Sequence, residues 1–161
     1  MISNLFKTQK ISVFFFLLYS SLLIGFYFDE NLNFGAYFDW LYTDTPVINA
    51  SADNLKNTIL NYDNFGHRHS PVYLVFLGFL KKIGLSLDNL RFLHLNLSLL
   101  LIYLFYKFLN FKFNYVDKNI ILILSFSLFL SPTFRSLSIW PSTRIIGLIF
   151  FVMSIYEFLK Y

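Results

Sequence analysis

Residues 90–109 read LRFLHLNLSLLLIYLFYKFL, twenty residues with formal charges only at Arg91 and Lys107. As a helix this run rises ~30 Å, the thickness of a bilayer's hydrocarbon core. It predicts a membrane-crossing helix. The composition agrees: of 161 residues, 57% are hydrophobic, 22% aromatic and only 14% charged, which does not describe a soluble domain. The net charge of +4 comes from scattered lysines and arginines rather than from a basic run. That distribution suits anionic lipid headgroups and not nucleic acid, and no RNA- or DNA-binding motif is present. The absence of cysteine excludes disulfides, thiolate metal sites and cysteine nucleophiles.

Upstream of this run, Pro71–Leu80 is apolar but is interrupted by Lys81 and Lys82 after about half the thickness of a hydrocarbon core. It predicts a helix lying in, or dipping into, the membrane interface. The segment Asp29–Ser70 is polar and holds the turn-rich pieces TDTP (Thr43–Pro46) and NYDNFG (Asn61–Gly66). Its aromatics, among them Tyr37, Trp40, Tyr42 and Phe65, argue for packing at the interface rather than disorder. The first apolar run, 11–28, follows Lys7 and Lys10 and ends in Phe26, Tyr27 and Phe28, where a signal peptidase would need small residues. It predicts an uncleaved anchor with a cytoplasmic N-terminus. Downstream, Lys107, Lys112 and Lys118 surround a short connection, followed by two more runs separated by SPTFRSLSIWPSTR (Ser131–Arg144).

The expected fold is an all-α membrane protein forming one domain, 1–161. About four transmembrane helices are expected, at 11–28, 90–109, 119–133 and 144–160, with juxtamembrane helices in a long extracytoplasmic loop, 29–88. Two topologies compete. If 71–87 does not cross, Ser131–Arg144 faces the same side as Asp29 and Glu30; if it crosses, the two face opposite sides. The positive-inside count is nearly even between them, and the shortness of 71–87 favours the first. The abundance of Phe, Ile, Asn, Lys and Tyr points to an AT-rich, bacterial genome and so to a bacterial inner membrane.

Residues 28–38 read FDENLNFGAYF, placing an acidic pair where the first run leaves the membrane. Asp29, Glu30, Phe34, Gly35 and Tyr37 resemble the GT-C class of integral-membrane glycosyltransferases, among them the protein O-mannosyltransferases and the lipid A aminoarabinose transferases. Members carry Asp-Glu just after the first transmembrane helix, often followed by an aromatic-Gly-x-aromatic stretch. Further along, His69, Ser70 and Pro71 are similar to the His-Pro-Pro or Lys-Pro segment that opens a juxtamembrane helix in that class. Arg91 matches an arginine at the start of the next transmembrane helix. Pro132 and Pro141 match prolines that the class has before a later helix, where Ser142 stands in place of an aspartate. Such enzymes usually have many more helices, so the chain resembles the N-terminal part of one.

The resemblance implies transfer of a sugar from a polyprenyl-phosphate donor to an acceptor hydroxyl of a glycan, lipid or protein at the outer face. A hydroxyl needs a base to take its proton during attack, and Asp29 is the expected base, with Glu30 orienting it or the acceptor. The leaving phosphate gathers charge and needs cationic partners. His67, Arg68 and His69 precede the interfacial helix, Arg91 opens the next span with His94 one turn on, and Arg135 and Arg144 flank the later outer segment. The bland alternative for each arginine is snorkelling to headgroups. No cofactor is expected. A divalent ion at Asp63, His67 and His69 is the weaker option, because their spacing fits no ligand motif. The sequon Asn49-Ala50-Ser51 is discounted as a chance tripeptide. The rival functions are a multi-pass transporter or lipid-linked glycan flippase, and a non-catalytic assembly subunit.

Overall fold

The computed structural model describes residues 2–65 and 70–161, and among these the chain is all-α, without a strand. Helix α1 spans Ile2–Tyr27. It ends in a backbone loop in which Glu30 N–H donates to Gly25 O at 2.7 Å and Asp29 N–H to Phe26 O at 3.4 Å. That is the Schellman pattern, with Asp29 in the left-handed position at φ +53 where glycine is usual. The turn sends the two acidic side chains toward different neighbours.

Among the described residues the segment between Phe34 and Lys82 is helical almost throughout. Helix α2 (Phe34–Phe38) is capped by Asn33, whose side chain accepts from Gly35 N–H, and runs through a π-helical stretch, Asp39–Asp44, into α3 (Thr45–Asp53). Asn54 caps α4 (Leu55–Leu60), which is followed by a short 3₁₀ turn at Tyr62–Phe65. Helix α5 (Val72–Lys82) is ~16 Å long, too short to cross a bilayer. It packs Tyr73, Leu74, Leu77 and Gly78 inward, chiefly against α3, while Val72, Phe76, Phe79 and Ile83 stay exposed. Gly78 permits this approach, because a Cβ there would lie 2.5 Å from Ser51 Cβ and 2.9 Å from Ile48 O.

Helix α6 (Leu87–Lys112) starts at Ser86, whose side chain accepts from Asn89 N–H. Asp117 caps α7 (Lys118–Phe126), which tightens into a 3₁₀ turn at Ser127–Leu130. Ser131 then caps α8 (Pro132–Ile139), and Ser142 caps α9 (Thr143–Lys160). The expected single span 119–133 is corrected here. The chain bends by 68° between Leu130 and Pro132, because Ser131 and Pro132 end one helix and begin the next.

Helices α1 and α7 run toward one end of the bundle, and α6 and α9 run away from it side by side, with Phe111 edge-on to Tyr156 near their far ends. The core between them includes Leu22, Leu95, Leu101, Phe129 and Ile145, and Phe15 sits against Phe126 and Phe129. Among the described residues only α6 is by itself long and apolar enough to cross a membrane. The residues 118–139 meet that test only as a bent pair, and Ser12–Tyr27 is a shorter apolar helix.

Candidate functional site

The end of the bundle where α1 stops gathers acidic and arginine side chains that are far apart in sequence. Arg91, in the first turns of α6, donates from Nη2 to Asp29 Oδ1 at 2.7 Å, and its Nη1 lies 3.4 Å from Asp88 Oδ1. Its guanidinium lies 3.8 Å from the Trp140 ring centroid and 4.9 Å from that of Phe26. The arginine side chain is 9% exposed but the Asp29 side chain is 64% exposed, so the pair places a buried cation behind an accessible carboxylate.

Glu30 faces the other way. Arg135 of α8 grips it with two bonds, Nε to Oε1 at 2.6 Å and Nη2 to Oε2 at 2.5 Å, and also donates to Ser21 Oγ and Ser21 O, both at 3.1 Å. The two side chains are 12% and 19% exposed. Gly25 makes room for them: a Cβ there would lie 2.5 Å from Glu30 Oε2. Trp140 Nε1–H donates to Glu30 O at 3.0 Å, and Asn33 N–H to Ser136 Oγ at 2.8 Å, so α8 is stitched to the chain after α1 at three points. At the rim, Arg144 at the start of α9 pairs with Asp39 at 2.9 Å, with side chains 44% and 35% exposed.

The structure thus brings together Asp29, Glu30, Arg91, Arg135 and Arg144 of the residues singled out from the sequence. His67, Arg68 and His69 lie outside the described residues, as does the expectation that Arg68 or His69 approaches Asp29. His94 does not face the site: it is fully buried, with Nδ1 2.6 Å from Tyr73 Oη and Nε2 2.8 Å from Leu137 O. Its position one turn after Arg91 turns it into the bundle rather than toward the rim. Asp39 and Trp140 are site neighbours that sequence reading passed over; the one available signal was the aromatic in Ile139-Trp140-Pro141 beside two arginine-bearing segments.

Beside the arginine end lies an apolar groove of about 520 Å³ between α5, α6 and α9. Tyr73, Phe76, Leu97, Ile146 and Phe150 line it, and Thr143 stands at its edge, directly before Arg144. Burial, and second the negative charge of Asp44, push the phenol of Tyr73 well above the usual tyrosine range, so it remains a hydroxyl donor. The same two causes raise Tyr62. Among the described residues no cluster of three or more His, Asp or Glu side chains is arranged to hold a metal ion. The sequon lies within α3, where Ser51 is buried and Asn49 accepts a hydrogen bond from Lys81.

Comparison with protein-family models gives no match, and comparisons with curated proteins and with solved structures give none either.

Proposed function

We propose that the chain belongs to a membrane-embedded, GT-C-like glycosyltransferase that moves a sugar from a polyprenyl-phosphate donor to an acceptor hydroxyl at the outer face. The observation that carries this reading is an accessible carboxylate, Asp29, held by buried Arg91 at the same end of the bundle as exposed Arg144, whose sequence neighbour Thr143 lines an apolar groove. In this reading the isoprenoid chain lies in the groove and Arg144 exchanges Asp39 for the donor phosphate. Asp29 takes the acceptor's proton as the new glycosidic bond forms and the bond to phosphate breaks. Arg91 holds the Asp29 carboxylate in place, while Arg135 is committed to Glu30 and acts in the fold rather than on phosphate. The left-handed backbone at Asp29, tolerated by aspartate but easier for glycine, fits a side chain kept for its chemistry.

The membrane part of the proposal rests on exposed apolar surface. Val13, Phe16, Leu17, Ile24, Tyr103, Ile123, Phe150 and Phe151 are all exposed along α1, α6, α7 and α9, far more than a water-facing surface usually carries. We place four crossings, by α1, α6, α7 with its bend, and α9, with α5 in the outer interface. Among the described residues the far end of the bundle holds Lys107, Lys112, Lys118 and Lys160, with Asp117 and Glu157. A net positive end suits the anionic cytoplasmic leaflet, and the outward placement of the arginine end follows the Asp-Glu resemblance, since Lys and Arg are nearly even between the two ends. The transporter alternative would use charge within the bundle. The most deeply buried charged side chains among the described residues, Asp44 and Arg91, instead belong to the loop after α1 and the first turns of α6, and the largely buried Glu30–Arg135 pair lies at the same end of the bundle.

The test is sugar transfer from a polyprenyl-phosphate donor by Asp29→Asn at matched protein level, with Asp53→Asn, an exposed acid of α3, as comparison. Transfer should fall by ~10² to 10⁴, the usual loss when general-base assistance is removed, and Asp53→Asn should be unaffected. Full activity in Asp29→Asn moves the base elsewhere.

A further inference from the structure

Helix α8 ends against a proline, and this leaves one carbonyl without its helical partner. Leu137 O would accept from the N–H of residue 141, but Pro141 has none. Leu137 and Pro141 are both buried, so water does not replace the lost donor. His94 Nε2 fills the gap at 2.8 Å. Ser142 N–H also points at Nε2, at 3.3 Å, and one nitrogen of a neutral ring cannot serve a carbonyl and an N–H at once. Each tautomer satisfies one buried backbone group and gives up the other, and the shorter contact, 2.8 Å against 3.3 Å, selects the proton on Nε2. Nδ1 must then accept, and Tyr73 Oη stands 2.6 Å from it with a hydroxyl to give.

We infer that Tyr73 and His94 form a directed relay, Tyr73 O–H to Nδ1 and Nε2–H to Leu137 O, that caps α8 from α6 and positions the turn carrying Trp140 and Arg144. Both are positioning residues. Trp140 packs on the Arg91 guanidinium, and Arg144 meets Asp39, so the cap sets two walls of the arginine end at once. The relay does not depend on the transferase reading, since it concerns how the turn is held and not what binds there.

The experiment is nitrogen NMR of the full chain in detergent micelles. The chain has three histidines and two tryptophans, so assignment by single substitution is practical. His94 should show the pure Nε2–H tautomer, and Tyr73→Phe should move the Nδ1 resonance to that of a ring nitrogen without a donor. The Trp140 indole N–H, bonded to Glu30 O at 3.0 Å, reports the turn. Its hydrogen exchange should quicken about tenfold in His94→Leu, as expected for losing a buried hydrogen bond, and much less in His94→Gln, whose amide supplies a donor at similar reach. An Nδ1–H tautomer in the wild type overturns the relay. So does an Nδ1 resonance unmoved by Tyr73→Phe, and so do equal exchange rates in the glutamine and leucine variants.

Discussion

Two carboxylate–arginine pairs at the same end of the bundle, Glu30–Arg135 and Asp39–Arg144, use the same groups across the same sequence separation of 105 residues, yet they do different work. The first is bidentate, nearly buried, backed by Ser21 and fitted over Gly25. The second is a single contact at the rim with both side chains substantially exposed. An arginine whose hydrogen-bond donors are already used by a carboxylate and a backbone carbonyl has little to offer a substrate phosphate. One held by a solvated partner can exchange it at small cost. Burial, not residue type, therefore separates the structural arginine from the available one.

The comparison breaks first at the buried pair. Arg135→Leu and Glu30→Ala should each destabilise the fold by ~3 kcal/mol, since each leaves one buried charge unpaired, and the loss should appear as a lower denaturation midpoint in detergent. Loss of similar size in Asp39→Ala would erase the distinction. Gly25→Ala probes the same clamp without touching charge. Its Cβ would lie 2.5 Å from a Glu30 oxygen that Arg135 prevents from retreating, so a cost of ~1–2 kcal/mol is expected by the same measurement. At the rim, a double-mutant cycle with Asp39→Asn and Arg144→Gln should give a coupling below ~1 kcal/mol that weakens with salt.

Asp29→Gly sharpens the comparison from the opposite side. Glycine relieves the left-handed backbone, worth ~1 kcal/mol, which offsets part of what buried Arg91 loses when its carboxylate goes while Asp88 and the Trp140 ring remain, so the fall in stability should stay well below that of Glu30→Ala while transfer disappears. Destabilisation as large as that of Glu30→Ala would make Asp29 a structural residue like Glu30. The smallest effect concerns pH. The folded state raises the ionisation of Tyr73 and Tyr62 above the unfolded value near ~10, so the stability they contribute is complete below that pH and lost as pH rises beyond it. Ultraviolet titration of phenolate should show a late step coinciding with unfolding, and Tyr73→Phe should remove the larger share of it.

The helical class, the shortness of 71–87 and the acidic pair at the end of α1 were all legible in the sequence, because apolar run length and helix-capping residues are local signals. Ser86, Asp117, Ser131 and Ser142 each begin a helix as their side chains dictate. The bend at Ser131–Pro132 was missed, because the apolar residues before it read on into a continuous span. What no local signal carried was the pairing. Of the residues singled out as catalytic or phosphate-binding, five charged ones lie among the described residues, and only packing assigned Arg135 to Glu30, Arg91 to Asp29 beneath Trp140, and Arg144 to Asp39 at the rim. It likewise turned His94 from a site candidate into the cap of a distant helix, because the donor that Pro141 lacks must come from whatever the bundle places beside Leu137. Sequence fixes where helices begin, end and carry charge, through interactions within a few residues; which charges are buried and spent depends on contacts 60 to 105 residues apart, and those exist only once the bundle has closed.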